Sequence, residues 1–196
     1  MTEIISQQAI RPWGTGKPAP TFSLLAAMLL GAVGILAEAL FSAFVIPILM
    51  FALITAFCLR GLLQNYPHDV LGACNIVTLG RAALVAVLTG AIFAPASPWA
   101  VFAIAVIAFG LDGVDGWLAR RRGLSSAFGA RFDMEIDTLL GAVLALIVLW
   151  GGAVGPAILI LGFSRYGFVL AGLKWPALKG DLHESFRRKA ICVVQI

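Results

Sequence analysis

The chain has 196 residues, of which 61% are hydrophobic and 12% charged, with a mean hydropathy of +0.98 and a formal net charge of +4. A water-soluble domain carries about 25% charged residues, so this apolar surplus excludes an ordinary soluble fold and makes lipid the expected solvent. A pI near 9.3 raises nucleic acid as a partner, an idea that the placement of the basic residues removes below.

Residues 1–21 form a polar tail with Arg11, Lys17 and three prolines, and nothing in it reads as a cleaved signal. Residues 22–59 contain one charge, Glu38. About 20 residues cross a bilayer as a helix, so this stretch is expected to be two spans joined near Glu38. Arg60 to Asp69 is a polar loop. Asn75 to Phe93 is a third span, closed by Pro95, Ser97 and Pro98. Trp99 to Leu118 is a fourth, with Asp112 and Asp115 in its last turns, and Arg120 to Ser126 is a basic loop. Asp133 to Trp150 begins acidic and becomes a fifth span. Gly151 to Pro156 is a turn, and Ala157 to Leu173 is a sixth span interrupted by Arg165. After a basic stretch, Leu182 to Lys189, the apolar run from Ala190 is expected to be the start of a span cut short at Ile196. Cys58, Cys74 and Cys192 lie in or beside apolar runs and read as small apolar residues in a reducing setting.

The charges test this topology. With the N-terminus in the cytoplasm and six alternating spans, the outer turns near Glu38, Pro95 and Gly151 carry no Lys or Arg. Of the 14 basic residues, Arg81 and Arg165 alone fall within spans, and the rest lie on the inner side. That is the positive-inside asymmetry. It accounts for the high pI without nucleic acid. Trp13, Trp99, Trp150 and Trp175 sit near span boundaries, as interfacial anchors do.

One stretch, Leu111 to Thr138, holds five of the ten acidic residues: Asp112, Asp115, Asp133, Glu135 and Asp137. Charges beside hydrocarbon are costly and are kept mostly for a task. The spacings 112/115 and 133/137 each put two carboxylates on one helix face. Glu135, two residues from Asp133, falls on another face. If the two helices run antiparallel, four carboxylates converge, and their repulsion calls for cations. Hard divalent ions such as Mg²⁺ take oxygen ligands and keep positions open for phosphate. Two such ions bridged by carboxylates form a clamp for displacement at phosphorus. Gly116 and Gly129 let an anionic group approach the backbone, and Arg120 offers a fork of donors for phosphate. The plainer alternative is a solvated juxtamembrane loop in which acids cap one helix and arginines end another.

Asp112, Asp115, Gly116, Ala119, Arg120, Gly129, Asp133 and Asp137 match D-x2-D-G-x2-A-R-x8-G-x3-D-x3-D at every fixed position. This run resembles the signature of the CDP-alcohol phosphatidyltransferase family. Upstream, Asn75, Thr78 and Arg81 resemble that family's N-x-x-T-x-x-R. The resemblance implies an all-α, polytopic transmembrane helix bundle with a six-helix core. Residues 68–196 would be that core, incomplete at its C-terminal end, and residues 22–67 an additional hairpin and loop. It further implies a homodimer and two Mg²⁺ (or Mn²⁺) ions. Asp112 and Asp133 would bridge the ions, Asp115 and Asp137 would complete their shells, and Asp137 would be the general base. Asn75, Thr78, Gly116, Arg120, Ser126 and Gly129 would hold the CDP-lipid. The implied reaction moves a phosphatidyl group from CDP-diacylglycerol to an alcohol and releases CMP. Its site would face the cytoplasm of a bacterial inner membrane.

Two competing readings differ in class. One is a CDP-choline or CDP-ethanolamine phosphotransferase acting on diacylglycerol with the same metal site. The other is a divalent-cation transporter, against which the clustering of carboxylates at one membrane face counts. Arg165 is mid-span, and either a structural ion pair or an acceptor-phosphate site fits it. Arg81 is placed the same way, between pairing with the acidic cluster and binding the acceptor. Arg187, Arg188 and Lys189 fit topology first and headgroups second. His68 and His183 have no ligand-like companions.

Overall fold

The computed structural model describes residues 17–122, 126–152 and 154–175. The described residues form an all-α, polytopic helix bundle: α1 (Pro18–Phe41), α2 (Val45–Asn65), α3 (Ala73–Leu88), α4 (Gly90–Phe93), α5 (Pro98–Arg122), α6 (Ala127–Trp150) and α7 (Ile158–Lys174). Two compact units are formed, Met1–Gly162 and Phe163–Ile196.

Four helical stretches are long and apolar enough to cross a bilayer: Pro18–Phe41, Val45–Asn65, Ala73–Phe93 and Pro98–Asp115. Their burial separates their roles. The third is 72% buried against 22%, 17% and 22% for the others, so α3 with α4 is the central rod and the others face outward. Exposed Leu24, Met28, Ile35, Leu53, Phe57, Phe102 and Ile107 then need an apolar solvent. The protein is an integral membrane protein. The expected fifth span, α6, carries its charges in its first turns and is uncharged from Thr138 to Trp150. The expected sixth, in α7, has a shorter apolar run, Ile158–Ala171. That helix continues through Arg165 without a break.

Helix boundaries differ from the sequence reading for local reasons. The link between α1 and α2 falls at Ser42–Phe44, past Glu38, because Ser42 takes a left-handed conformation (φ 49°) and its N–H caps Ala37 and Glu38 carbonyls. α5 runs on through Arg122, where a loop was expected from Arg120. α6 begins at Ala127, well before Asp133. Ser126 caps it by accepting from the Gly129 N–H at 3.0 Å. Phe128, Phe132, Ile136 and Leu140, each four apart, give it a buried face from its first turn.

In the first unit α3 packs against α1, α2, α5 and α6. The N-terminal hairpin is therefore part of the packed core. At Gly61 on α2, an added Cβ would come 3.2 Å from the Phe128 ring, so the missing side chain lets α2 and α6 close together. Between α3 and α4, Thr89 tightens the turn: its N–H reaches the Ala86 carbonyl at 3.1 Å and its hydroxyl donates to the same oxygen at 2.6 Å.

Candidate metal and nucleotide site

The site is built on α3. Asp112 and Asp115 lie on α5 and Asp133 and Asp137 on α6, and both helices pack against α3. The four carboxylates converge on one guanidinium, that of Arg81. Its Nη1 lies 2.9 Å from Asp112 Oδ1 and donates to Asp115 Oδ2 at 3.1 Å. It also donates to Asp133 Oδ1, while Nη2 donates to Asp137 Oδ1. Nε donates to the Ala108 carbonyl on α5 at 3.1 Å. The alternative of pairing with the acidic cluster is thus the arrangement Arg81 adopts.

Burial grades the cluster. The side chain of Arg81 is 0% exposed and that of Asp115 4%, while Asp112, Asp133 and Asp137 are 39%, 35% and 46% exposed. Asp115 therefore sits deeper than the other three. The Thr78 hydroxyl lies 3.0 Å from both the Cys74 carbonyl and Asp115 Oδ2, and its single proton serves one of them. The second Asp115 oxygen, Oδ1, is buried with no hydrogen-bond partner among the described residues. One oxygen each from Asp112, Asp133 and Asp137 lies within 4.8 Å of the others.

This donor set fits a hard divalent cation. The donors are all carboxylate oxygens, three are close enough to share an ion after small side-chain shifts, and a buried carboxylate oxygen stands unpartnered beside them. One guanidinium offsets one of four negative charges, so further positive charge is favourable here.

The expected nucleotide residues lie around this cluster. Asn75, 1% exposed, opens α3. Its Nδ2 donates to the Tyr66 hydroxyl at 3.3 Å. That hydroxyl also accepts from the Gly72 N–H at 3.0 Å and donates to the Val70 carbonyl at 3.0 Å. Burial is the main force raising the Tyr66 phenol above its ordinary pKa. A Cβ at Gly129 would fall 3.0 Å from Asn75 Oδ1 and 3.2 Å from Ser126 Oγ. Glycine there brings α6 directly against the start of α3. Asn75, Thr78, Ser126 and Gly129 are therefore joined by contacts to one another or to the acidic cluster. Gly116 lies on α5, as does Arg120, whose side chain is outside the described residues. Arg165 belongs to the second unit. Glu135 is exposed, unlike the half-buried Asp133.

Sequence reading left Arg81 between two roles and did not single out Tyr66. Arg81 was one of two mid-span arginines, and only its depth on the central helix makes it the hub. Tyr66 gave no motif signal; it stands beyond the pattern and acts on Asn75 through one hydroxyl. Arg187, Arg188, Lys189, Cys192 and His183 lie outside the described residues.

These features define a membrane-embedded helical protein with an acidic centre to which three helices contribute. A family model, CDP-alcohol phosphatidyltransferase, matches residues 71–196, and the chain belongs to that family. No curated protein and no solved structure matched the chain. Membership makes it a transferase that acts on a CDP-alcohol substrate in a lipid bilayer with divalent cations.

Proposed function

We propose that the protein transfers a phosphatidyl group from CDP-diacylglycerol to a small alcohol and releases CMP. The observation that carries this reading is the convergence of Asp112, Asp115, Asp133 and Asp137 from two helices onto one point of α3. These four residues would hold two divalent cations, Mg²⁺ or Mn²⁺. Bound there, the cations supply charge neutralisation for the pyrophosphate.

The chain's own residues do the rest. Asn75, Thr78, Gly116, Arg120, Ser126 and Gly129 form the wall against which the CDP part lies. Asp137, the most exposed of the four carboxylates, faces an incoming water-soluble acceptor and takes its hydroxyl proton. The acceptor oxygen forms a bond to the lipid-side phosphorus while the phosphorus–oxygen bond to CMP breaks. Arg120 steadies the charge that collects on CMP. The diacyl tails stay among lipids throughout, which suits a reaction joining an apolar donor to a polar acceptor at a membrane face. The positive-inside pattern supports a cytoplasmic position for that face. Arg165 is the candidate contact for an acceptor phosphate.

Purified protein in nanodiscs, given CDP-diacylglycerol, Mg²⁺ and a panel of alcohols, should release CMP with a subset of them. Release with CDP-choline and diacylglycerol instead would assign the donor the other way round. No CMP from either pair would defeat the reading.

A further inference from the structure

We propose that Arg81 is a resident counter-ion of the cation centre: it holds the four carboxylates together and shares those residues with the divalent ions, as the positioning residue of the metal site. The inference rests on the reading of the aspartates as cation ligands. Its new content is that an arginine of the central helix and the ions are linked through the same carboxylate residues.

The argument starts from charge. Four carboxylates at the edge of a lipid-facing bundle repel one another, and without a cation nothing in their own helices would hold them close. Arg81 is the group that does. Both terminal nitrogens are spent on them, and its third nitrogen is fixed to the Ala108 carbonyl, so the fork cannot swing away without losing a bond to α5. Its side chain is fully buried. A guanidinium with no exposure and one carbonyl partner would be ruinous without carboxylates. Each side of the arrangement therefore requires the other.

The arrangement is also incomplete. Among the described residues one positive charge faces four negative ones, and Asp115 Oδ1 is buried without a donor although its partner oxygen has two donors in reach. Asp112, Asp133 and Asp137, each with an oxygen in contact with Arg81, are also the three residues that each offer a carboxylate oxygen within 4.8 Å of the others'. A lysine could not replace the fork. Its single ammonium cannot reach carboxylates on two helices and a carbonyl at once. The consequence is a linkage. Cation-free protein depends on Arg81 to keep the cluster assembled. Cation-loaded protein depends on it less, because the ions take over part of the neutralisation.

The test uses the full chain in nanodiscs. Melting of wild type, Arg81→Gln and Arg81→Lys is followed by tryptophan fluorescence in EDTA and in saturating Mg²⁺, and Mn²⁺ binding is followed by EPR. Arg81→Gln should lose more stability in EDTA than in Mg²⁺, so the rise in Tm on adding Mg²⁺ should be about twofold that of wild type or more. Arg81→Lys should fall between the two. A strut that merely pins α3 to α5 and α6 would lower both melting temperatures equally, and that result overturns the inference. If Arg81→Gln does not fold, Arg81→Lys decides: a Mg²⁺-induced rise no larger than that of wild type overturns it. Wild type that binds no Mn²⁺ and gains no stability from Mg²⁺ would overturn the cation reading itself, and this inference with it.

Discussion

Asp115 and Asp137 carry the same functional group, yet their side chains are 4% and 46% exposed. That difference divides their expected roles. Asp137→Asn keeps the shape and removes the base, so CMP release should fall by about 100-fold or more with little change in Tm. Thr78→Val acts on the deep side. It removes the hydroxyl beside Asp115 Oδ2 and should lower stability by about 1–2 kcal/mol, read from chemical denaturation in detergent. Gly129→Ala brings a methyl group to 3.0 Å from Asn75 Oδ1. Because the neighbour is a side-chain amide held by Tyr66, the first effect should be a raised KM for the CDP substrate, with a smaller effect on kcat. The four aspartates were legible in the sequence because their spacing is itself helical geometry. The pairing of Arg81 with the acidic cluster was one of two readings that the sequence left open, and the packing of three helices decides it.

At the scale of elements, the long apolar runs were legible as helices, and what was not was where each helix ends, or that the third run is divided into α3 and α4. Their boundaries were set by features that hydropathy does not weigh: the left-handed Ser42, the Ser126 cap and the Phe128–Phe132–Ile136–Leu140 stripe. The acidic residues of α6 drew the sequence reading to start that helix at Asp133, whereas the cap and the aromatic stripe start it at Ala127. Ser126→Ala should therefore cost about 1 kcal/mol through the lost cap. It should loosen the start of α6, seen as faster hydrogen exchange at residues 127–130. Gly61→Leu should force α2 away from Phe128 and lower Tm. A wild-type Tm would show that the hairpin is not held there.

For the whole molecule, the family match begins at Leu71, while α1 and α2 pack against the central helix α3 in the same unit. The hairpin packs against α3 and, through Gly61 and Phe128, against α6 as well. The charge asymmetry argues for a cytoplasmic N-terminus, which labelling tests. In intact cells Ser97→Cys should react with a membrane-impermeant maleimide, and Asp69→Cys should react only after permeabilisation. The opposite pattern would reverse the topology. Composition had already excluded a soluble fold, and the motif had already named the chemistry. Tertiary packing added that Arg81 of α3 is in contact with all four aspartates.

The most direct measurement is CMP release from CDP-diacylglycerol by purified wild type and Asp112→Ala, each titrated with Mg²⁺ after EDTA treatment. Wild type should be silent in EDTA and recover with Mg²⁺, and Asp112→Ala should stay silent at every Mg²⁺ concentration while still folded. Release that persists in EDTA, or that survives in Asp112→Ala, would contradict a cation centre built from these aspartates.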